Sequence, residues 1–316
     1  MDGASTDDTM RVVTRYRDCL AQPYQTATHL FMIDMTAERA TTESIGYRAS
    51  PKQEGGRRTR DAQQERLRDK PLVSIITVVF NGAATLADTI RSVSQQTYDN
   101  IEYIIIDGGS NDGTLDVIRK YDAQVDYWLS EQDAGIYDAM NKGIALATGD
   151  YVGMLNADDF FASEHAVQKI VERLVADKLD AVFSQLDIVK ADNPLQVLRK
   201  YRVASFDTFM LRIGVMPPHP TFYCRKSCYE KLGISPYRTD YRIAADFELL
   251  VRLLLTQKIS WGYLAETTVK MRAGGTSSDK LLLNREIIRA CRQNGLYTNM
   301  LLLLLKAPLR LLERIR

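Results

Sequence analysis

Between residues 72 and 155, short apolar runs alternate with amphipathic stretches, and this alternation constrains the fold more than any other feature of the sequence. Residues 72–80 (LVSIITVVF) are almost continuously apolar and rich in Val and Ile, as expected of a strand buried on both faces. Leu86, Ile90 and Val93 then recur at helical spacing within 83–96. The same reading gives strands at 101–106, 127–130 and 151–155, with helices at 112–121 and 136–147 between them. Strand–helix units with short connections predict an α/β fold: a doubly wound, mostly parallel sheet flanked by helices. After residue 160 the pattern loosens. Strands are expected at 180–189 and 221–225, and helices through Val167–Leu174 and 243–255.

In an open parallel sheet, ligands bind beyond the carboxyl ends of the strands, and this rule selects the residues that matter. The first strand ends in Thr77-Val78-Val79-Phe80-Asn81 and the second in Asp107-Gly108-Gly109-Ser110. The glycines let backbone approach a ligand closely, and Asp107 can accept hydrogen bonds from a base or ribose. A plain turn with Asp112 capping the next helix explains that segment as well. The fourth strand ends in Asn156-Ala157-Asp158-Asp159, a hard-oxygen cluster suited to Mg2+ or Mn2+. Such an ion bridges the phosphates of a nucleoside diphosphate. Helix capping is the alternative for these acids, but acidic groups at two neighbouring strand tips favour a site.

Charge excludes one class of partner. With 41 basic and 40 acidic residues the chain carries no basic excess of the kind a nucleic-acid binder needs. Its four cysteines do not form a disulfide framework, which points to a reducing compartment. The start lacks the pattern of a secretory signal, and the longest apolar run, 300–305, is too short to cross a bilayer. A cytoplasmic protein is expected, free or peripheral on the inner face of the cell membrane.

Three segments together resemble the family 2 glycosyltransferases: VSIITVVFNGAATLADTIRSVSQQTYDNIEYIIIDGGSNDGT, SEQDAGIYDAMNKGIALATGDYVGMLNADD and AADFELLVRL. Their order and spacing, over about two-thirds of the chain, are more specific than any one of them. The resemblance implies the GT-A fold and an inverting, metal-dependent transfer of sugar from a nucleotide-diphosphate sugar to a glycan or lipid-linked acceptor. It implies that Val78, Phe80, Asn81 and Asp107 hold the nucleotide, and that Asn156-Ala157-Asp158 matches the family's acidic D-x-D element. The metal would then be carried by Asp158, with Asp159 beside it, and Asn156 would reach the ribose. Ala245-Asp246 matches a Glu-Asp pair whose Asp is the catalytic base. Asp133 and Lys142 fall where a donor would lie, although Lys142 reads equally as a solvated helix lysine. The proline-rich loop around His219 can present it to the acceptor or diphosphate, with a structural hydrogen bond as the alternative. Asn156 and Ala245 depart from the pattern, and they leave open a catalytically silent nucleotide-sugar-binding scaffold. A nucleotidyltransferase fits less well, because NGAATL after the first strand has no Lys or Arg to meet a pyrophosphate.

Five segments are expected. Residues 2–18 align without gaps to 107–123 with seven identities, so 1–49 reads as a partial repeat of the nucleotide-binding unit. Residues 50–70 read as a charged linker around Gly55-Gly56. Residues 71–160 form the nucleotide-sugar half and 161–284 the acceptor and catalytic half. The helical tail 285–316 carries seven basic residues against Glu286 and Glu313, with a leucine-rich side, and suits an anionic membrane surface; a helix packed on the domain or in a dimer interface is the alternative.

Overall fold

A computed structural model describes residues 52–60, 67, 69–274 and 279–306. All fall in the compact unit Ser50–Arg316. The repeat expected at 1–49 and the end of the tail, 307–316, lie outside the described residues.

In chain order the strands are β1 (Gln53–Gly55), β2 (Val73–Val79), β3 (Ile101–Asp107), β4 (Tyr127–Ser130), β5 (Tyr151–Met154), β6 (Asp159–Phe161), β7 (Ala181–Lys190), β8 (Asn193–Tyr201), β9 (Tyr223–Arg225) and β10 (Trp261–Arg272). The helices are α1 (Leu86–Ser94), α2 (Thr114–Lys120), α3 (Ile136–Leu146), α4 (Ala166–Ala176), α5 (Lys226–Glu230), α6 (Ala245–Val251), α7 (Lys280–Gln293) and α8 (Met300–Leu304). One sheet runs β1-β4-β3-β2-β5-β9-β7-β10-β6, with β8 paired to β7. The segment β4-β3-β2-β5 is parallel throughout, as the alternation required. The chain moves outward from β2 to β3 and β4 on one side and returns to β5 on the other, so a crevice opens between the carboxyl ends of β2 and β5. All seven residues of β2 are buried, consistent with helices on both faces. Leu86, Ile90 and Val93 of α1 pack into the same core as Ile75, Ile105 and Val182.

The boundaries drawn from sequence shift in three places. The expected linker is not free chain between 53 and 60: β1 adds antiparallel to β4, pairing Gln53 with Ser130 and Gly55 with Trp128. Gly55 is needed there because a Cβ would meet the Trp128 indole at 2.5 Å, and Gly56 takes φ +97. Arg57 pairs with Asp126 at 2.8 Å and Arg58 with Glu102 at 3.2 Å, so the charges of this segment serve docking rather than solvation. The division at 160/161 falls inside β6, which pairs with β10, while β9 pairs with β5. The two halves thus share strands. The division at 284/285 falls inside α7, which buries Glu286, Ile287, Ala290 and Cys291 against the domain.

Candidate active site

The loops after β2 and β3 are sewn together. The Asn81 N–H donates to Ser110 Oγ at 2.7 Å, and the Asn111 N–H donates to Asn81 Oδ1 at 3.0 Å. Asn81 reaches this position with φ +52, which asparagine tolerates better than most side chains. Ser110 Oγ in turn donates to Asp107 Oδ1 at 2.5 Å, and Ser130 Oγ donates to Oδ2 at 2.6 Å. Asp107 is fully buried with both oxygens engaged. It was expected to meet the base or ribose, yet in this arrangement its carboxylate organises the loop. Val78 is likewise buried in β2, whereas Phe80 stands 66% exposed at the strand tip.

Beside that loop, Asp133 accepts the Gly135 N–H at 2.9 Å, and its carboxylate lies so close to Gly108 that a Cβ there would collide with it. Burial raises the pKa of Asp133 above the usual carboxylate range. Lys142, expected to reach the donor, spends its ammonium on Glu131 at 2.9 Å and Asp138 at 3.4 Å. It braces the turn between β4 and α3.

At the end of β5, Asn156 and Asp158 are half-buried, and the Asp158 carboxylate accepts no hydrogen bond from a described residue. Asn156 Oδ1 is buried without a partner. Arg272, at the end of β10, fixes this loop. It donates to the Asp158 carbonyl at 2.8 Å, lies 4.9 Å over the Phe160 ring and pairs with Asp88 of α1 at 2.5 Å. Asp159 departs from expectation. Its side chain is 1% exposed, on the same strand face as buried Phe161, and has no well-formed hydrogen bond. Burial foremost, and then the charge of Asp158, raises its pKa well above the usual range. The pair of metal ligands read from sequence narrows to Asp158. Among the described residues no three acidic, His or Cys side chains form a closed metal cage. An available Asp158 carboxylate beside the orphaned Asn156 oxygen fits an ion that takes most of its ligands from a bound diphosphate and water.

Asp246 opens α6 beside two tyrosines, Tyr137 and Tyr237. Tyr137, from the first turn of α3, sets its hydroxyl against the backbone N–H groups of Ala245 and Asp246. Tyr237 stacks on Tyr137 with ring centroids 5.9 Å apart. His219 Nε2 lies 2.6 Å from the Tyr237 hydroxyl, its ring edge-on to the tyrosine. Burial lowers the His219 pKa to about 4, so the imidazole is neutral at physiological pH and serves to hold Tyr237. The Tyr237 backbone is gripped at both ends by Asn141 of α3, each bond 2.8 Å. Burial raises the Asp246 pKa to about 6 against the lowering effect of the Phe247 N–H, and the charge of Glu286 adds to the rise. An acid poised there is well matched to proton abstraction near neutral pH.

Helix α3 links two of these parts. α3 begins at the carboxyl end of β4 and carries Asp133 just before it, beside Gly108, and Tyr137 in its first turn, beside Asp246. A cavity of about 250 Å³ opens here, lined by Gly135, Ile136, Tyr137, Asp138, Tyr241 and Arg242 among others. Tyr137, Tyr237, Arg272 and Glu286 were not singled out as site residues from sequence. Tyr137 lies inside a segment that was, whereas the others carry no local signal.

Comparison with known proteins identifies the family. The model of glycosyl transferase family 2 matches residues 74–232. An uncharacterized glycosyltransferase of Mycobacterium tuberculosis is 35% identical over 195 residues, covering 58% of this chain and 70% of that protein. A PGL/p-HBAD biosynthesis glycosyltransferase of Mycobacterium bovis is 28% identical over 222 residues, covering 68% and 84%. Among solved structures, Staphylococcus aureus TarS with UDP-GlcNAc superposes with a TM-score of 0.59 at 15% identity, covering 71% of this chain and 65% of that one. The mannosyltransferase PcManGT of Pyrobaculum calidifontis with GDP-Man and Mn2+ gives 0.52 at 18% identity, covering 71% and 64%. The two structures share the fold, while the family model and the mycobacterial relatives carry the assignment: this protein belongs to glycosyl transferase family 2 and is a glycosyltransferase.

Proposed function

We propose that the protein transfers a sugar, with inversion at the anomeric carbon, from a nucleotide-diphosphate sugar to a hydroxyl of a glycan or lipid-linked acceptor in cell-surface polysaccharide or glycolipid synthesis. The observation that carries the reading is Asp246, a carboxylate held at about pKa 6 beside Tyr137 and Tyr237. Asp246 takes the proton of the acceptor hydroxyl as its oxygen bonds to the anomeric carbon. The bond from that carbon to the diphosphate breaks on the opposite face, and the nucleoside diphosphate departs with the electron pair. Exposed Phe80 offers a face to the base, and Asn156 offers its unpartnered oxygen to a ribose hydroxyl. Asp158 would hold a divalent ion, Mn2+ or Mg2+, which when bound would supply positive charge to the leaving diphosphate. The named relatives support the substrate class, since one is named for PGL/p-HBAD biosynthesis and two structural neighbours hold UDP-GlcNAc or GDP-Man.

Turnover of a panel of nucleotide sugars tests the proposal. Asp246→Asn is expected to reduce transfer by about 10²–10⁴-fold, the usual worth of a positioned base, with donor affinity preserved. Asp158→Ala should abolish stimulation by manganese. An Asp246→Asn enzyme that transfers at the normal rate would sink the assignment of the base.

A further inference from the structure

The family pattern places a Glu directly before the base, and here that position is Ala245. Helix α6 also lacks its own capping group. Its N-cap is Ala244, which makes no side-chain cap bond, and its third residue is Phe247, which cannot reach back to the cap as a Glu would. The function is filled from elsewhere in the chain. Glu286 of α7 accepts three consecutive backbone N–H groups: Arg242 on Oε1 at 2.7 Å, and Ile243 and Ala244 on Oε2, each at 2.9 Å. These residues lead directly into Asp246. Glu286 lies on the buried face of α7 with Ile287, Ala290 and Cys291, where a charge is costly unless it is bonded. Three aligned donors on one carboxylate offset that cost and fix the path of the chain.

We infer that Glu286 is the positioning residue of the proposed base: from α7 it sets the backbone that presents Asp246, in place of the Glu missing at 245. The inference rests on the reading of Asp246 as base. Glu286 also acts through its charge. The groups facing Asp246 are Tyr137 from α3, Tyr237 from the loop before α6, with neutral His219 behind it, and Glu286 from α7. On α6 itself, Glu248 is paired with Arg252. Glu286 is thus the anion that opposes ionisation of Asp246 from a neighbouring element.

Glu286→Gln keeps the size of the side chain and one acceptor oxygen but removes the charge. The expected result is a folded enzyme with kcat reduced about tenfold and donor KM unchanged, as misplacement of a base produces. The acid limb of its kcat/KM profile should also move to lower pH, since Asp246 ionises more readily without the neighbouring anion. A Glu286→Gln enzyme with unchanged kcat, or one with reduced kcat and an unmoved limb, overturns the inference; the second result marks a merely structural residue. If the Gln variant does not fold, Glu286→Asp keeps the charge with a shorter reach. It should lose kcat while holding the limb near its original pH, and a displaced limb overturns the inference. Asp246→Asn, run in parallel, separates the two failures: full activity there removes the base itself, whereas inactivity there with a normal Glu286→Gln removes only Glu286.

Discussion

Asp246 is an acid kept where its charged form is disfavoured, and this has a thermodynamic consequence apart from catalysis. Its pKa rises from 3.8 to about 6 on folding. The folded state therefore holds the proton more tightly than the unfolded chain. Its stabilising contribution is complete below pH 3.8 and is lost as pH rises through 6. At pH 7.5 the ionised, half-buried group costs the fold roughly 1–3 kcal/mol. Asp246→Asn should raise Tm at pH 7.5, and the gain should shrink toward zero at pH 4, as thermal melts at the two pH values would register. A gain of equal size at both pH values would mean that the carboxylate is not strained. In activity, kcat/KM of the normal enzyme should rise through about pH 6 as Asp246 ionises. His219 does not confuse the profile over that range, since burial holds its own titration near 4.

At the scale of elements, β1 and the turn after it show how a segment that reads as linker becomes structure. Glu102 of β3 is 5% exposed and carries four contacts. It accepts Ser74 Oγ at 2.5 Å, the Thr148 N–H and hydroxyl at 2.7 Å each, and Arg58 Nη1 at 3.2 Å. It joins β2, the end of α3 and the segment after β1. Glu102→Ala would leave those donors unsatisfied and cost about 2–4 kcal/mol, measurable as a lowered denaturant midpoint. A change below about 0.5 kcal/mol, the level of a surface substitution, would contradict the buried network. The strands and helices of 71–155 are legible because continuous apolar runs and period-3.6 spacing are local patterns. β10 was not, because WGYLAETTVKMR mixes charge with apolar residues and is only half-buried; parallel pairing to β7 makes it a strand. β8 escaped for the same reason, since most of its residues face solvent.

For the whole molecule, the described part of the tail divides into a docked helix and a helix with an exposed apolar face. α7 packs against α6, buries Glu286, Ile287, Ala290 and Cys291, and is part of the domain. α8 leaves Leu301 at 74% and Leu304 at 63% exposed, with Tyr297 also open before it. No helix among the described residues is long and apolar enough to cross a membrane. We propose that this leucine face meets a lipid surface. Because α7 holds the loop before Asp246, deleting the tail would confound binding with catalysis. The double substitution Leu301→Asp, Leu304→Asp avoids that. It should leave the protein in the supernatant of vesicles containing anionic lipid, with transfer to a soluble acceptor unchanged. Sedimentation equal to that of the normal protein would exclude this face as the contact.

The sequence by itself determined the parallel α/β half, its strand tips and the positions of Asp107, Asp158 and Asp246, because periodicity, turn chemistry and motif spacing are written over short distances. Only the tertiary structure decided what those residues meet. Glu286 reaches Ala244 across 42 residues, and Arg272 reaches the Asp158 carbonyl across 114. It also decided that Asp107 and Asp159 turn inward while Asp158 stays available. Which side of a strand or loop a carboxylate faces, and which donors wait there, depends on packing between elements that no local pattern encodes.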